Sequence, residues 1–312
     1  MSRIKLTIVL CLCVCLSHAQ GKFSHLTAAG HPKIGLVLGG GGAKGAAQIG
    51  VLKALEEEGL EFDYIAGTSI GSIIGALYSC GYRSKDIEDL FLSQQWLSLI
   101  TGLGISDNGG NHGRWRGRRR NNNDNYDVWL DIGLSGGDQI TELFDSLTHL
   151  GDSIEFDKMP IPFRCVATDL KSQEPITLTC GNLPMALRAS MSIPGVFKPV
   201  YYQGRTLVDG GMQNNLPVDV VRAMGAEYVI SVDLSQVKHK PRSFSLQETF
   251  GIGGILDWVV SRPDWKRYDE NVKATNLYIN PNLNGYDIMD FQKEKILKMI
   301  DIGYKAAKAV LK

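Results

Sequence analysis

The chain has 312 residues, with 33 Lys plus Arg against 33 Asp plus Glu, and 44% apolar residues. That length holds one large domain or two ordinary ones, and that apolar fraction fills a sizeable core. Zero net charge excludes a global attraction to nucleic acid or to an anionic membrane, so any such pull must be local.

In chain order, residues 1–19 read as a signal peptide. Arg3 and Lys5 precede an apolar run from Leu6 to Leu16, and Ser17-His18-Ala19 gives the small-x-small pattern of a cleavage site before Gln20. The run is shorter than the roughly 20 residues that span a bilayer. Export would place the mature chain in a periplasm, at an outer membrane or outside the cell. Three of the six cysteines lie in this segment. Cys80, Cys165 and Cys180 remain, an odd number without metal-like spacing, so neither a disulfide framework nor a metal site is expected.

Residues 20–32 read as a polar linker. Lys33 to Leu38 is a short β-rich run followed by four glycines. Ala43 to Glu58 follows as a helix with Ile49, Leu52 and Leu55 on one face. A second strand at Phe62 to Ala66 leads through Gly-Thr-Ser-Ile-Gly into an apolar helix, Ile70 to Tyr78. Strand and helix alternating at this spacing predict an α/β fold with a mainly parallel sheet between helical layers. A further helix is expected over Lys85 to Gln95.

Residues 101–125 lose all periodicity. They read as a long mobile loop with a basic run, Arg114-Trp-Arg-Gly-Arg-Arg-Arg120. That run either docks on anionic lipid or simply keeps a loop soluble. Beyond it come a helix (Asp138 to Leu150), strands (Phe163 to Thr168 and Ile176 to Cys180) and a helix (Leu183 to Met191). Then follow a short strand (Thr206 to Val208), a helix (Pro217 to Met224) and a strand (Tyr228 to Asp233). Residues 235–270 are polar and loosely patterned. An edge strand is expected at Asn276 to Ile279, and a long amphipathic helix over Met289 to Leu311. Nothing marks a second domain, so residues 33–312 read as one.

Three features carry chemistry. In Gly67-Thr68-Ser69-Ile70-Gly71 the serine sits on a strand-to-helix turn, with glycines at the two flanking positions that such a turn crowds. Its hydroxyl would stand at a helix N-terminus, where partial positive charge favours an alkoxide. A plain helix-capping role for Thr68 and Ser69 is the alternative. Gly40-Gly41-Gly42-Ala43-Lys44-Gly45 is the second. Lys44 is followed by Gly45 where a phosphate-binding P-loop needs Ser or Thr. The glycine spacing satisfies a dinucleotide loop, but Asp63 lies at the wrong end of the second strand to bind a ribose. An oxyanion hole formed by Gly40, Gly41 and Gly42 explains both motifs together, because both turns sit on the same sheet edge.

The third is the base that a serine needs at neutral pH. His25 and His31 lie in the linker, His112 in the basic loop, His149 at a helix end and His239 in a charged stretch. Only His239 follows a candidate acid in Ser…Asp…His order, and its setting is poor. Asp209, at the end of a strand and followed by Gly210-Gly211, can take the proton directly if burial raises its pKa. An ordinary Asp-Gly turn is not distinguished from this by spacing.

Gly40 to Gly45, Gly67 to Gly71, Ala189-Ser-Met-Ser-Ile-Pro194 and Asp209-Gly-Gly211 together resemble the patatin-like phospholipases, from about Lys33 to Asp233. The likeness is to the secreted bacterial members, some of which carry an additional outer-membrane barrel domain. The resemblance implies a Ser69–Asp209 dyad acting on a phospholipid or another acyl ester, with oxyanion donors at 40–42. It also implies that no metal, cofactor or histidine is needed. Lys44 matches the family's basic position, Asn215 the turn after Asp209, and residues 189–197 a segment packed beside the dyad. A non-catalytic lipid-binding module of the same fold and a nucleotide-binding protein are the competing readings.

Overall fold

The computed structural model describes residues 23–27, 30–101, 133–148, 150–151, 153–236 and 264–312. The signal segment, the basic run Arg114–Arg120, His112, His149 and His239 lie outside them.

The central sheet contains β1 (Ile34–Leu38), β2 (Tyr64–Thr68), β5 (Phe163–Asp169), β6 (Pro175–Leu178), β9 (Val200–Tyr202), β10 (Arg205–Asp209), β11 (Tyr228–Val232) and β12 (Leu277–Ile279). Its order is β12-β11-β1-β2-β5-β10-β9, with β6 on β5. The four pairings from β12 to β5 are parallel, and the remaining three are antiparallel. Two small ribbons, β3 (Gly133–Ser135) with β8 (Gly195–Phe197) and β4 (Ile154–Glu155) with β7 (Cys180–Gly181), lie apart from it.

Alternation along the strands creates the layers. Leu36, Leu38, Ile65 and Ile230 face one core, while Val37, Ala66 and Val229 face the other. The first core is covered by α1 (Ala46–Glu57), α2 (Ile70–Ser79), α3 (Ser84–Ser93), α4 (Trp96–Thr101), α5 (Asp138–Thr148), α6 (Leu183–Ser190) and α9 (Lys293–Leu311). The second is covered by α7 (Val218–Ala223) and α8 (Trp265–Lys273). Helices α1 and α9 touch backbone to backbone. A Cβ on Gly50 would lie 1.9 Å from the Ile300 carbonyl oxygen, and one on Gly303 would lie 1.9 Å from that of Ala47.

Several boundaries differ from the sequence reading. The linker is partly anchored, since Phe23 and Leu26 are buried around a single helical turn, Ser24–Thr27. The last helix begins at Lys293, not Met289, because Asp290 takes the Asp287 N–H (2.8 Å) and Lys295 Nζ (2.5 Å) to form a turn. Helices α4 and α8 and strands β3, β4, β7, β8 and β9 were not anticipated.

The sheet positions the site through one detail of β5. Cys165 and Val166 have β2 on one edge and β6 on the other, whereas Ala167 and Thr168 have β10 and β6. Strand β10 therefore takes over the edge of β5 that β2 leaves. The two run towards each other and end opposite consecutive residues, Thr68 facing Val166 and Asp209 facing Ala167.

Candidate active site

Ser69 follows β2 directly and opens α2. Its backbone has φ 54° and ψ −125°, a region that costs a non-glycine residue about 1–3 kcal/mol. Hydrogen bonds hold it there. The Ser69 carbonyl accepts from Ser72 N–H (2.9 Å) and from the Ser72 hydroxyl (2.6 Å), and the Ser69 N–H donates to Ser190 Oγ (3.0 Å). The flanking glycines allow the crossing. A Cβ on Gly71 would lie 2.1 Å from the Leu38 carbonyl oxygen, and one on Gly67 would lie 2.4 Å from that of Gly71. A Cβ on Gly45 would meet the Ile70 side chain at 2.4 Å, so the two turns interlock.

Asp209 meets Ser69 where the two strand ends converge. The Ser69 hydroxyl donates to Asp209 Oδ2 at 2.7 Å, and the Gly211 N–H donates to Oδ1 at 2.7 Å. Asp209 N–H is held by the Ser192 carbonyl (2.9 Å). Gly210 lies so close to β5 that a Cβ would be 2.1 Å from the Val166 oxygen. Asp209 is buried and has no cationic partner among the described residues. Burial pushes its carboxyl up to about 6, against the opposing pull of the Gly211 N–H and the Ser69 hydroxyl. An acid in that range is ionised at neutral pH yet basic enough to take a proton.

The glycine loop follows β1 on the same edge. Gly40 does not fit the expected donor role, because its N–H is engaged by the Asn215 carbonyl (3.3 Å). Its part is spatial: a Cβ there would lie 2.5 Å from Asn215 Oδ1 and 3.1 Å from Ser69 Cβ. The N–H groups of Gly41 and Gly42 meet no acceptor among the described residues, and Gly42 borders the same cleft as Ser69. Gln48 on α1 fixes the start of the loop by donating to the Gly39 carbonyl (2.7 Å), and Asn215 Nδ2 reaches the Gly40 carbonyl (3.3 Å). Lys44 is half-buried. Burial pushes its ammonium pKa down, while Asp287 and Asp290 act in the opposite direction.

A narrow cleft starts at Ser69 and Gly42. Its walls are apolar: Ile70 and Ile73 of α2, Trp96 and Ile100 of α4, Ile140 of α5, Met191 and Ile193, Val196 and Phe197 of β8, and Ile288, Met289 and Phe291. Among the described residues, no lining side chain apart from Ser69 carries a hydroxyl, amide or charge, so the cleft suits a hydrocarbon chain. Sequence reading missed α4 and residues 288–291. The one available signal was the apolar triplet Ile288, Met289 and Phe291 beside Asp290, which reads equally well as the start of a helix.

The competing assignments find other uses. Asp63 receives Lys33 Nζ (2.7 Å) and the Ile34 N–H (2.8 Å), tying β1 to β2 at the end of the sheet away from the glycine loop. Among the described residues no histidine hydrogen-bonds Ser69 or Asp209.

A family model described as patatin-like phospholipase matches residues 36–222. A patatin-like phospholipase domain-containing protein of Caenorhabditis elegans is 34% identical over 209 residues, covering 66% of this chain and 14% of that protein. The lysophospholipase NTE1 of Mycosarcoma maydis is 34% identical over 257 residues, covering 81% of this chain and 12% of that protein. These two relatives come from an animal and a fungus, and the chain spans a small part of each. Among solved structures, VipD from Legionella pneumophila shares the fold, with a TM-score of 0.51 and 13% identity over 90% of this chain and 66% of that one. With the family model covering residues 36–222 of 312, the chain belongs to the patatin-like phospholipase family.

Proposed function

We propose that the chain is a lipid acyl hydrolase that works through a Ser69–Asp209 dyad and an acyl-enzyme. The observation that carries this is the 2.7 Å hydrogen bond from Ser69 Oγ to Asp209 Oδ2, made at a strained turn that opens into an apolar cleft. Asp209 takes the hydroxyl proton as Ser69 Oγ attacks the ester carbonyl carbon. The N–H groups of Gly41 and Gly42 receive the oxyanion, aided by the N-terminus of α2. Collapse of the tetrahedral species returns the Asp209 proton to the leaving alcohol. Water then repeats the cycle, giving up its proton to Asp209 and releasing the fatty acid.

A fluorophosphonate probe tests the reading directly. Wild type should be labelled at one site and Ser69→Ala should not. An unlabelled wild type, or labelling that survives Ser69→Ala, would leave a non-catalytic lipid-binding module. Fatty-acid release from a panel of phospholipids, lysophospholipids and simple esters then ranks the substrates. Export and peripheral contact with anionic lipid through Arg114–Arg120 belong to the same proposal. Both rest on sequence composition.

A further inference from the structure

Ser190 and Ser192 hydrogen-bond the backbones of the two members of the dyad. At φ 54° the Ser69 N–H turns away from the β2 ladder, into a region with no solvent to receive it. Its acceptor has to come from another element, and Ser190 at the end of α6 supplies it. The Ser190 side chain is fully buried. Its hydroxyl hydrogen goes to the Val166 carbonyl at 2.6 Å, which leaves its lone pairs to accept from Ser69 N–H at 3.0 Å. Val166 is the β5 residue opposite Thr68, where β2 ends. Ser190 therefore ties the turn to the sheet at the point where the strands meet. Two residues later the Ser192 carbonyl takes the Asp209 N–H at 2.9 Å.

The segment is itself fixed from behind. Arg188, buried, donates to Ser192 Oγ, to the Gly136 carbonyl (2.9 Å) and to the Lys198 carbonyl (3.1 Å), and its guanidinium lies 4.4 Å from the centre of the Phe197 ring. Desolvation pushes that guanidinium down to about 10, opposed by Asp138. An anchor of that kind suits a segment whose position must not drift.

We propose that Ser190 is a positioning residue for the nucleophile, and that residues 190–192 clamp the backbones of Ser69 and Asp209 at hydrogen-bonding distance. The inference rests on the dyad reading above. Ser190 touches no substrate and acts only through Ser69. Its loss frees the Ser69 N–H and relaxes the turn, and a displacement of about 1 Å at a reacting atom lowers rates by about 100-fold.

The test measures kcat and KM on p-nitrophenyl butyrate, together with the rate of fluorophosphonate labelling. Ser190→Ala should lower kcat and labelling by about 10- to 100-fold with KM changed less than about two-fold. Ser190→Cys, which keeps a weaker acceptor, should fall between alanine and wild type. Ile49→Val in α1, a buried core change away from the site, should lower Tm while keeping wild-type kcat. Wild-type kcat in Ser190→Ala overturns the inference, as does an equal loss of kcat in Ile49→Val. If the alanine variant does not fold, wild-type kcat in Ser190→Cys overturns it equally. A wild type that the probe does not label overturns the dyad itself, and the inference falls with it. A labelled wild type beside an equally labelled Ser190→Ala overturns the inference alone.

Discussion

Replacing Asp209 with Asn separates what the carboxylate does for chemistry from what it does to stability, and the two effects have opposite signs. Burial raises the Asp209 pKa from 3.8 to about 6. Between about pH 4 and pH 6 the folded chain therefore keeps a proton that the unfolded chain has lost. Stability falls as pH rises through that window, and above pH 6 the penalty is complete. A shift of about 2 units at about 1.4 kcal/mol each comes to about 3 kcal/mol. Asn keeps the acceptor for Gly211 N–H and can donate one amide hydrogen to Ser69 Oγ. Its second hydrogen is left buried without a partner, at a cost of about 1 kcal/mol. The variant should then be more stable than wild type by about 2 kcal/mol at pH 8, a rise in Tm of roughly 4 °C for a domain of this size. At pH 4 the gain should vanish. Turnover of a soluble ester should meanwhile drop by about 100- to 10,000-fold. Thermal unfolding at both pH values, with ester hydrolysis at pH 8, reads all three quantities. A variant less stable than wild type at pH 8, or a gain of equal size at pH 4, would refute the claim that this carboxylate is held ionised against its burial.

Other outcomes follow from the same geometry. The kcat/KM of wild type should rise with pH through about 6 and then level off, since Asp209 must be ionised to accept the proton; a profile flat from pH 5 to pH 8 would remove Asp209 as the base. Gly50→Ala should destabilise by several kcal/mol, because its Cβ would lie 1.9 Å from the Ile300 oxygen and force α1 from α9, and an unchanged Tm would contradict that contact. Val196→Trp should fill the cleft and shift ester preference towards short acyl chains with probe labelling retained; an unaltered chain-length profile on a panel from acetate to palmitate would place the acyl chain elsewhere. Changing Arg114, Arg116, Arg118, Arg119 and Arg120 to Gln should weaken co-sedimentation with anionic vesicles, at about 1 kcal/mol per basic residue near the surface; undiminished binding would discard that contact.

The parts of the site that sequence revealed are those whose constraint is local. Gly67, Ser69 and Gly71 sit within one turn, and the crowding that demands glycine acts between Gly67, Gly71 and the neighbouring Leu38 and Gly39 backbone. The glycine loop and the central parallel strands are legible for the same reason: β1 and β11 are short apolar runs flanked by glycine or by charge. What stayed hidden depends on partners distant in sequence. Helix α8 buries only Tyr268 and Asn271, and Asn271 is held by Asn214 and by the backbone of Asp219. Its apolar stripe is short, Trp265, Tyr268 and Val272 set among charged residues, and follows a loosely patterned stretch. The Ala189–Pro194 motif gives no sign of what Ser190, at the end of α6, does, because the groups it joins, Ser69 and Val166, come from two other elements. Gly40 was assigned as a donor with its neighbours, since nothing in a run of glycines says which N–H has already met Asn215.

That a carboxylate stands in direct contact with the serine follows from the strand arrangement. In a sheet where the strand bearing the acid lies beside the strand bearing the nucleophile, their loops are separated laterally and an imidazole can fill the gap. Here β10 is collinear with β2 along one edge of β5, so the last residue of one strand and the first residue beyond the other are brought end to end. The 2.7 Å that remains between Ser69 Oγ and Asp209 Oδ2 admits no intervening ring. An aspartate so placed is useful as a base only if its pKa lies well above that of a solvated carboxyl, and the same end-to-end arrangement buries it under Gly210, Gly211 and the Ser192 carbonyl. The topology that sets the acid against the serine thus also raises its pKa.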